Sequence, residues 1–150
     1  HADTLPPCDW HHHLHQATQR GLPACFRLRF DRQDASRWLR FFARSSYLNV
    51  DAFRFGDQSL FVHREDFQAS GGYDENLLLM EGHEIVRRLR RLRGGFAILP
   101  ADVTTSARRY FRHGILYTQG VFCCIFCLYY LGVRQQRLGW LHRTAFRQGR

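Results

Sequence analysis

Two glutamates, Glu81 and Glu84, stand at the head of MEGHEIVRRLRRLRGG (80–95), ahead of five arginines and a double-glycine stop. At a helix N-terminus the peptide dipoles favour carboxylates, so ordinary helix design accounts for both residues. If that end faces a cleft, either acid can also take a proton from a hydroxyl. Asp3 follows a short stretch that reads as the exit of a strand, where ligands of open α/β sheets bind. A carboxylate there can hold a divalent cation against substrate phosphates, or simply cap a turn. Arg108, Arg109 and Arg112, with Tyr110, supply the aimed donors that a diphosphate requires; the alternative is a basic helix surface.

Other reactive types carry weaker signals. In HHHLH (11–15), His11 and His15 share a helical face, but no cysteine or carboxylate is spaced to complete a tetrahedral set. Solvated surface histidines are expected. Five cysteines in no regular framework predict free thiols and a reducing compartment, and the three in CCIFC read as small buried hydrophobes.

The elements that must position these residues follow from periodicity and punctuation. Asp9 is placed to cap a helix through WHHHLHQATQR, which Gly21 ends. ACFRLRFD alternates, with Phe26, Leu28 and Phe30 on one face, as a half-buried strand does. DASRWLRFFARSSYLNV reads as an amphipathic helix fraying after Ser45. Gly56-Asp57 turns the chain into a short strand over 59–63, and a helical turn follows until Gly71-Gly72. Ile85, Leu89 and Leu92 make an apolar side for the arginine-rich helix, with Glu84 able to pair with Arg87 or Arg88. FAILP reads as a strand closed by Pro100, after which DVTTSARRY turns into a long helix. This order predicts an α/β protein with a mixed sheet and flanking helices, ending in a long apolar C-terminal helix.

A length of 150 residues, 45% hydrophobic, suits one globular domain with a real core. The net charge is +9, and every one of the 22 basic residues is arginine. Arginine favours bidentate binding of carboxylate and phosphate. A basic nucleic-acid-binding domain is the rival class, but one side of the 81–93 helix is committed to packing. No helix-turn-helix, zinc-finger or aromatic RNA-binding signature accompanies that helix. The 20 uncharged residues from 114 to 133 reach the length of a bilayer core, diluted by Tyr117, Thr118, Gln119 and glycines. Core packing, a homo-oligomer contact, peripheral membrane contact and a true membrane span remain open for them.

HADT, PACFRLRFD, FGDQSLFVHREDF, GGYDE, MEGHEIVRRLRR and TTSARRY, taken in this order, resemble the inverting family 2 glycosyltransferases. The closest look is to a small bacterial subgroup filed beside radical-SAM proteins. The resemblance covers nearly the whole chain; each motif alone is weak, and the ordered set is fairly specific. It implies a partial GT-A fold, with an acceptor-side half over 1–107 and a C-terminal helical extension over 108–150 that contacts a membrane or a subunit. It also implies a nucleotide-diphospho-sugar donor, a hydroxyl acceptor on a lipid or glycan, Mn²⁺ or Mg²⁺, and a place in the cytoplasm at the inner face of a bacterial membrane.

Residue by residue, His1-Ala2-Asp3 looks like the family's metal-binding motif with histidine for the first aspartate, so Asp3 would hold the metal. Asp57 and Gln58 fall on the acceptor-side turn. Arg109, beside Arg108, takes the arginine position of the motif near the donor diphosphate. Glu81 matches the first acid of the family's Glu-Asp pair. Two departures follow. The second acid, usually the base, is Gly82, leaving Glu81 or Glu84 to substitute, or a non-catalytic homologue. The family's nucleobase-binding strands are expected ahead of residue 1.

Overall fold

Phe26, Leu28 and Phe30 are all buried, as their alternation in β2 (Ala24–Phe30) requires. The computed structural model describes residues 3–54 and 56–147. Among them, seven α-helices accompany one four-stranded mixed sheet of order β1-β4-β2-β3. This is an α/β protein. Its strands are β1 (Thr4–Leu5), β2, β3 (Leu60–Phe61) and β4 (Ala97–Thr105). β2 and β4 run parallel at the centre, while the two-residue strands β1 and β3 pair antiparallel at the edges.

The expected stop at Pro100 does not occur. β4 runs on to Thr105 because the ladder skips there: Phe26 pairs with Leu99, but Arg27 pairs with Asp102. Pro100 and Ala101 form a bulge, where proline's missing N–H leaves no ladder bond unmade. Arg27 pins the irregularity, with Nε 2.9 Å from Asp102 Oδ1 and Nη2 3.2 Å from the Pro100 carbonyl.

The described chain divides into two compact units. The larger runs to Tyr73 and resumes over Gly82–Ala107. It holds the sheet with α1 (Trp10–Arg20), α2 (Arg37–Ser45), α3 (Arg64–Ala69) and nearly all of α4 (Glu81–Arg93). Its core is built from Phe26, Leu28, Leu39, Ile85, Leu89, Leu99 and Val103, each no more than 4% exposed. Gly21, at φ 62°, ends α1 as expected. Asp9 makes no side-chain cap; its carboxylate instead sits 3.2 Å from His13 Nε2. His13 is the exception among the expected surface histidines, buried with its ring edge-on to Phe26. Ser36 caps α2 by accepting from the Trp38 N–H at 3.2 Å.

The smaller unit contains Asp74–Glu81 and the chain from Arg108, with α5 (Arg108–His113), α6 (Ile115–Tyr130) and α7 (Gln135–Ala145). Gln135 Oε1 accepts from the Leu78 and Leu79 N–H groups, both at 3.2 Å, tying the 74–81 loop to α7. The long apolar helix expected here is not formed. Gly114, at φ 89°, separates α5 from α6, and Gly132, at φ 75°, follows the end of α6. α6 has 16 residues. Among the described residues no helix is long and apolar enough to cross a membrane. Cys123, Cys124 and Cys127, expected inside, are exposed. α6 buries Thr118 and Ile125, and the cysteines lie away from that buried side.

Candidate functional site

The parallel pair fixes one end of the larger unit. β2 and β4 finish side by side, Phe30 against Thr105, and β1 runs back along β4 with Thr4 opposite Thr105. Asp3, just before Thr4, therefore emerges beyond the carboxyl end of β4, and Asp31 follows the carboxyl end of β2. Both are exposed. Thr4 Oγ1 and Thr105 Oγ1 lie 3.2 Å apart. The Asp31 N–H donates to the Thr105 carbonyl at 3.0 Å, and Asp31 Oδ1 accepts from the Ala107 N–H at 2.9 Å. Asp31 drew no notice in the sequence, although an acid closing an alternating strand was a visible signal.

Asp3 and Asp31 flank the end of β4 from the strands on either side of it, and a single carboxylate can hold a Mg²⁺ whose shell is completed by water and substrate phosphates. Among the described residues no cluster of three or more His, Cys, Asp or Glu side chains could hold a metal by itself. The expected motif partner His1, with Ala2, lies outside the described residues.

A second feature of the larger unit is a cavity of 110 Å³ under the start of α4. Gly56 and Gly82 form part of its wall, with Tyr73, Leu60, Val86 and Phe96. The two glycines meet closely: a β-carbon built on Gly82 would lie 3.4 Å from Gly56 Cα and 3.6 Å from Gly56 N. The turn expected on the acceptor side and the residue at the expected base position thus meet in the folded chain. The sequence named both segments but gave no sign of their contact.

Arg54, also on the cavity wall, is 2% exposed and was not anticipated. Its guanidinium donates to the Ser46 carbonyl at 2.7 Å and to the Leu48 carbonyl, and at longer range to the Val50 carbonyl. Nη1 reaches Cys25 Sγ at 3.2 Å and Gln58 Oε1 at 3.4 Å. Burial pushes the Cys25 thiol up from its ordinary value, and the adjacent Arg54 charge opposes that shift. Gln58 is fully buried, and its amide donates to the Phe53 carbonyl at 3.1 Å. Its polar atoms are spent on holding this turn. Asp57 beside it is only half-buried.

The two candidate bases differ sharply. Arg88 grips Glu84, with Nε 2.7 and 2.8 Å from its two oxygens and Nη2 2.6 Å from Oε2. The same guanidinium donates to the Ser70 and Gly72 carbonyls, anchoring the double-glycine stop to α4. Glu81 is exposed in the first turn of α4. In the smaller unit, Arg108 is exposed, and Arg109 lies over the rings of Phe122 and Phe146, 5.8 and 5.4 Å from their centroids. Arg109 is held by cation–π attraction while its outer edge stays in solvent. Compared with protein families, with curated proteins and with solved structures, the chain finds no match in any of the three.

Proposed function

We propose that the chain is an inverting glycosyltransferase that moves a sugar from a nucleotide-diphospho-sugar to an acceptor hydroxyl. The observation that carries this reading is the position of Asp3 beyond the carboxyl ends of the parallel β2–β4 pair, the end at which α/β sheets receive ligands. The ordered motifs that resemble the family 2 enzymes support it.

In this reading Asp3 would hold Mn²⁺ or Mg²⁺, with Asp31 as a further carboxylate at the same end of the sheet, and the ion would supply positive charge for a diphosphate leaving group. By the resemblance, Arg108 and Arg109 are the candidates to supply positive charge to the donor diphosphate. Glu81 takes the proton of the acceptor hydroxyl, which attacks the anomeric carbon on the face opposite the leaving group. Glu84 is the weaker candidate because Arg88 occupies its oxygens. A non-catalytic homologue is the second reading, favoured by Gly82, which brings no proton acceptor to the usual base position.

The test follows nucleoside diphosphate release from a panel of nucleotide-diphospho-sugars with Mn²⁺. Metal-dependent release is expected, reduced about 100-fold or more in Asp3→Ala. Glu81→Gln should be slowed about as far, and Glu84→Gln much less. Donor binding without release would favour the non-catalytic reading. Neither binding nor release from any donor would overturn both.

A further inference from the structure

The exposed residues of α6 and its C-terminal cap are Leu116, Tyr117, Gly120, Cys123, Cys124, Cys127, Tyr130 and Leu131. Their spacing of three and four makes one continuous stripe along the helix. No charged side chain interrupts it. Leu116 is 58% exposed and Leu131 78% exposed, so the stripe is open at both ends. Patches of this kind on a folded chain mark interaction sites more often than accidents.

We propose that this stripe docks on an anionic lipid surface. From Val103 to the C-terminus the sequence carries eight arginines and no aspartate or glutamate. Nearly all of the chain's net charge of +9 thus lies on the segment that bears the stripe. Arg112 precedes α6 and Arg134 follows it, both exposed, so cations bracket the apolar surface at its two ends. That is the distribution a bilayer interface meets: acyl chains under the stripe, anionic headgroups at the guanidiniums. Tyr117 and Tyr130 suit the headgroup boundary, where a ring can be buried while its hydroxyl stays wet.

At 1.5 Å per residue the stripe is about 22 Å long, short of the ~30 Å needed to span a hydrocarbon core, so the helix lies in the plane of the surface. A second copy of the chain is a poorer occupant, because pairing two stripes would bring two acid-free arginine sets together. Nucleic acid is poorer still, since the stripe offers no charge to phosphate.

The experiment is co-sedimentation with vesicles of phosphatidylcholine alone and of phosphatidylcholine with about a third phosphatidylglycerol. The protein should bind the anionic vesicles at least about tenfold more tightly than the neutral ones, with binding weakened by salt. Leu116→Gln with Leu131→Gln removes apolar surface and leaves the charge unchanged, and should weaken binding by about tenfold per leucine. Both sites are solvent-exposed, and an unaltered melting temperature verifies that the double variant folds. The same change at Val50 and Leu92, exposed residues of the larger unit, should leave binding unchanged. Failure of the unaltered protein to bind anionic vesicles would overturn the proposal. So would full binding by the stripe variant, which would mean adhesion by charge alone. A dimer that the stripe variant dissociates, without vesicle binding, would give the face to a second copy.

Discussion

Asp66 Oδ1 sits 2.5 Å from Arg93 Nη2, and Asp66 Oδ2 accepts from Arg93 Nε at 2.8 Å, joining α3 to the last turn of α4. The carboxylate is nearly enclosed, its side chain 5% exposed, whereas the guanidinium is 43% exposed. The hydrogen bonds from Arg93 hold the Asp66 carboxyl below its ordinary value. The folded value therefore lies below the unfolded one, near 3.9. The stabilisation is present above that unfolded value and is lost as pH falls through the folded one. Urea midpoints measured down the acid limb should fall less steeply for Asp66→Asn than for the unaltered protein. An identical acid limb would show that the pair contributes nothing.

His83, 4% exposed, carries the opposite kind of group to the same conclusion at higher pH. Burial, then the charge of Arg87, lowers its proton affinity, although the backbone of Asp51 and Arg54 offers its ring hydrogen bonds. An unfolded chain takes up the proton near pH 6.5 while the folded chain resists it, so stability declines as pH drops below about 6.5. His83→Gln should flatten that decline, at a cost of about 1–3 kcal/mol at alkaline pH from the altered hydrogen bonds. His142, its proton affinity likewise lowered by burial, leaves a residual slope. Equal slopes in both proteins would place the effect elsewhere.

Arg54 holds the 46–58 segment through carbonyls rather than through an acid. Arg54→Met would leave the Ser46 and Leu48 carbonyls without their donor, and a loss of more than about 3 kcal/mol is expected by denaturant unfolding. Thiol labelling gives an independent reading. Cys8, Cys123, Cys124 and Cys127 are exposed and should react at once, whereas Cys25 should react only as the protein opens. In Arg54→Met the slow thiol should become fast.

Gly82 can be replaced. Its β-carbon would make ordinary contact with Gly56, and the cavity beside it leaves room for a longer side chain. Gly82→Ala should raise stability by up to about 1 kcal/mol, since glycine costs conformational entropy in a helix. Gly82→Asp should fold as well, aided by the helix dipole. If its activity rose above that of the unaltered protein, the natural site would be one weakened by loss of its acid. A large destabilisation by Ala would mean the Gly56–Gly82 approach tolerates no side chain.

Local signals were legible where one residue decides the outcome. Gly21 announced the end of α1, and the Phe26, Leu28, Phe30 alternation gave β2 its inner face. Pro100 misled because proline is a stop only for a regular ladder, and a bulge is a property of two strands together. The cysteines of α6 misled because an apolar run reads the same whether covered or bare. At the candidate site Asp3, Glu81 and Glu84 stood out as candidates by their place in the sequence, whereas Asp31 did not. The contact of Gly56 with Gly82, the burial of Arg54 and the arrival of Asp31 at the strand end depend on distant segments meeting. No short window of sequence contains that information.

The parallel pairing at the centre of the sheet also governs how the chain reaches this structure. Arg27 meets Asp102 across 75 positions, so the central ladder closes only after most of the larger unit's chain is in place. Parallel strands cannot meet through a tight turn, and the entropy of so wide a closure precedes any reward from the contacts. Folding is therefore expected on the slow side, about milliseconds to seconds, as for other topologies rich in distant contacts. During synthesis β2 leaves the ribosome long before β4 exists to receive it. Until then Phe26, Leu28 and Phe30 are an uncovered apolar edge, the segment a chaperone would meet first.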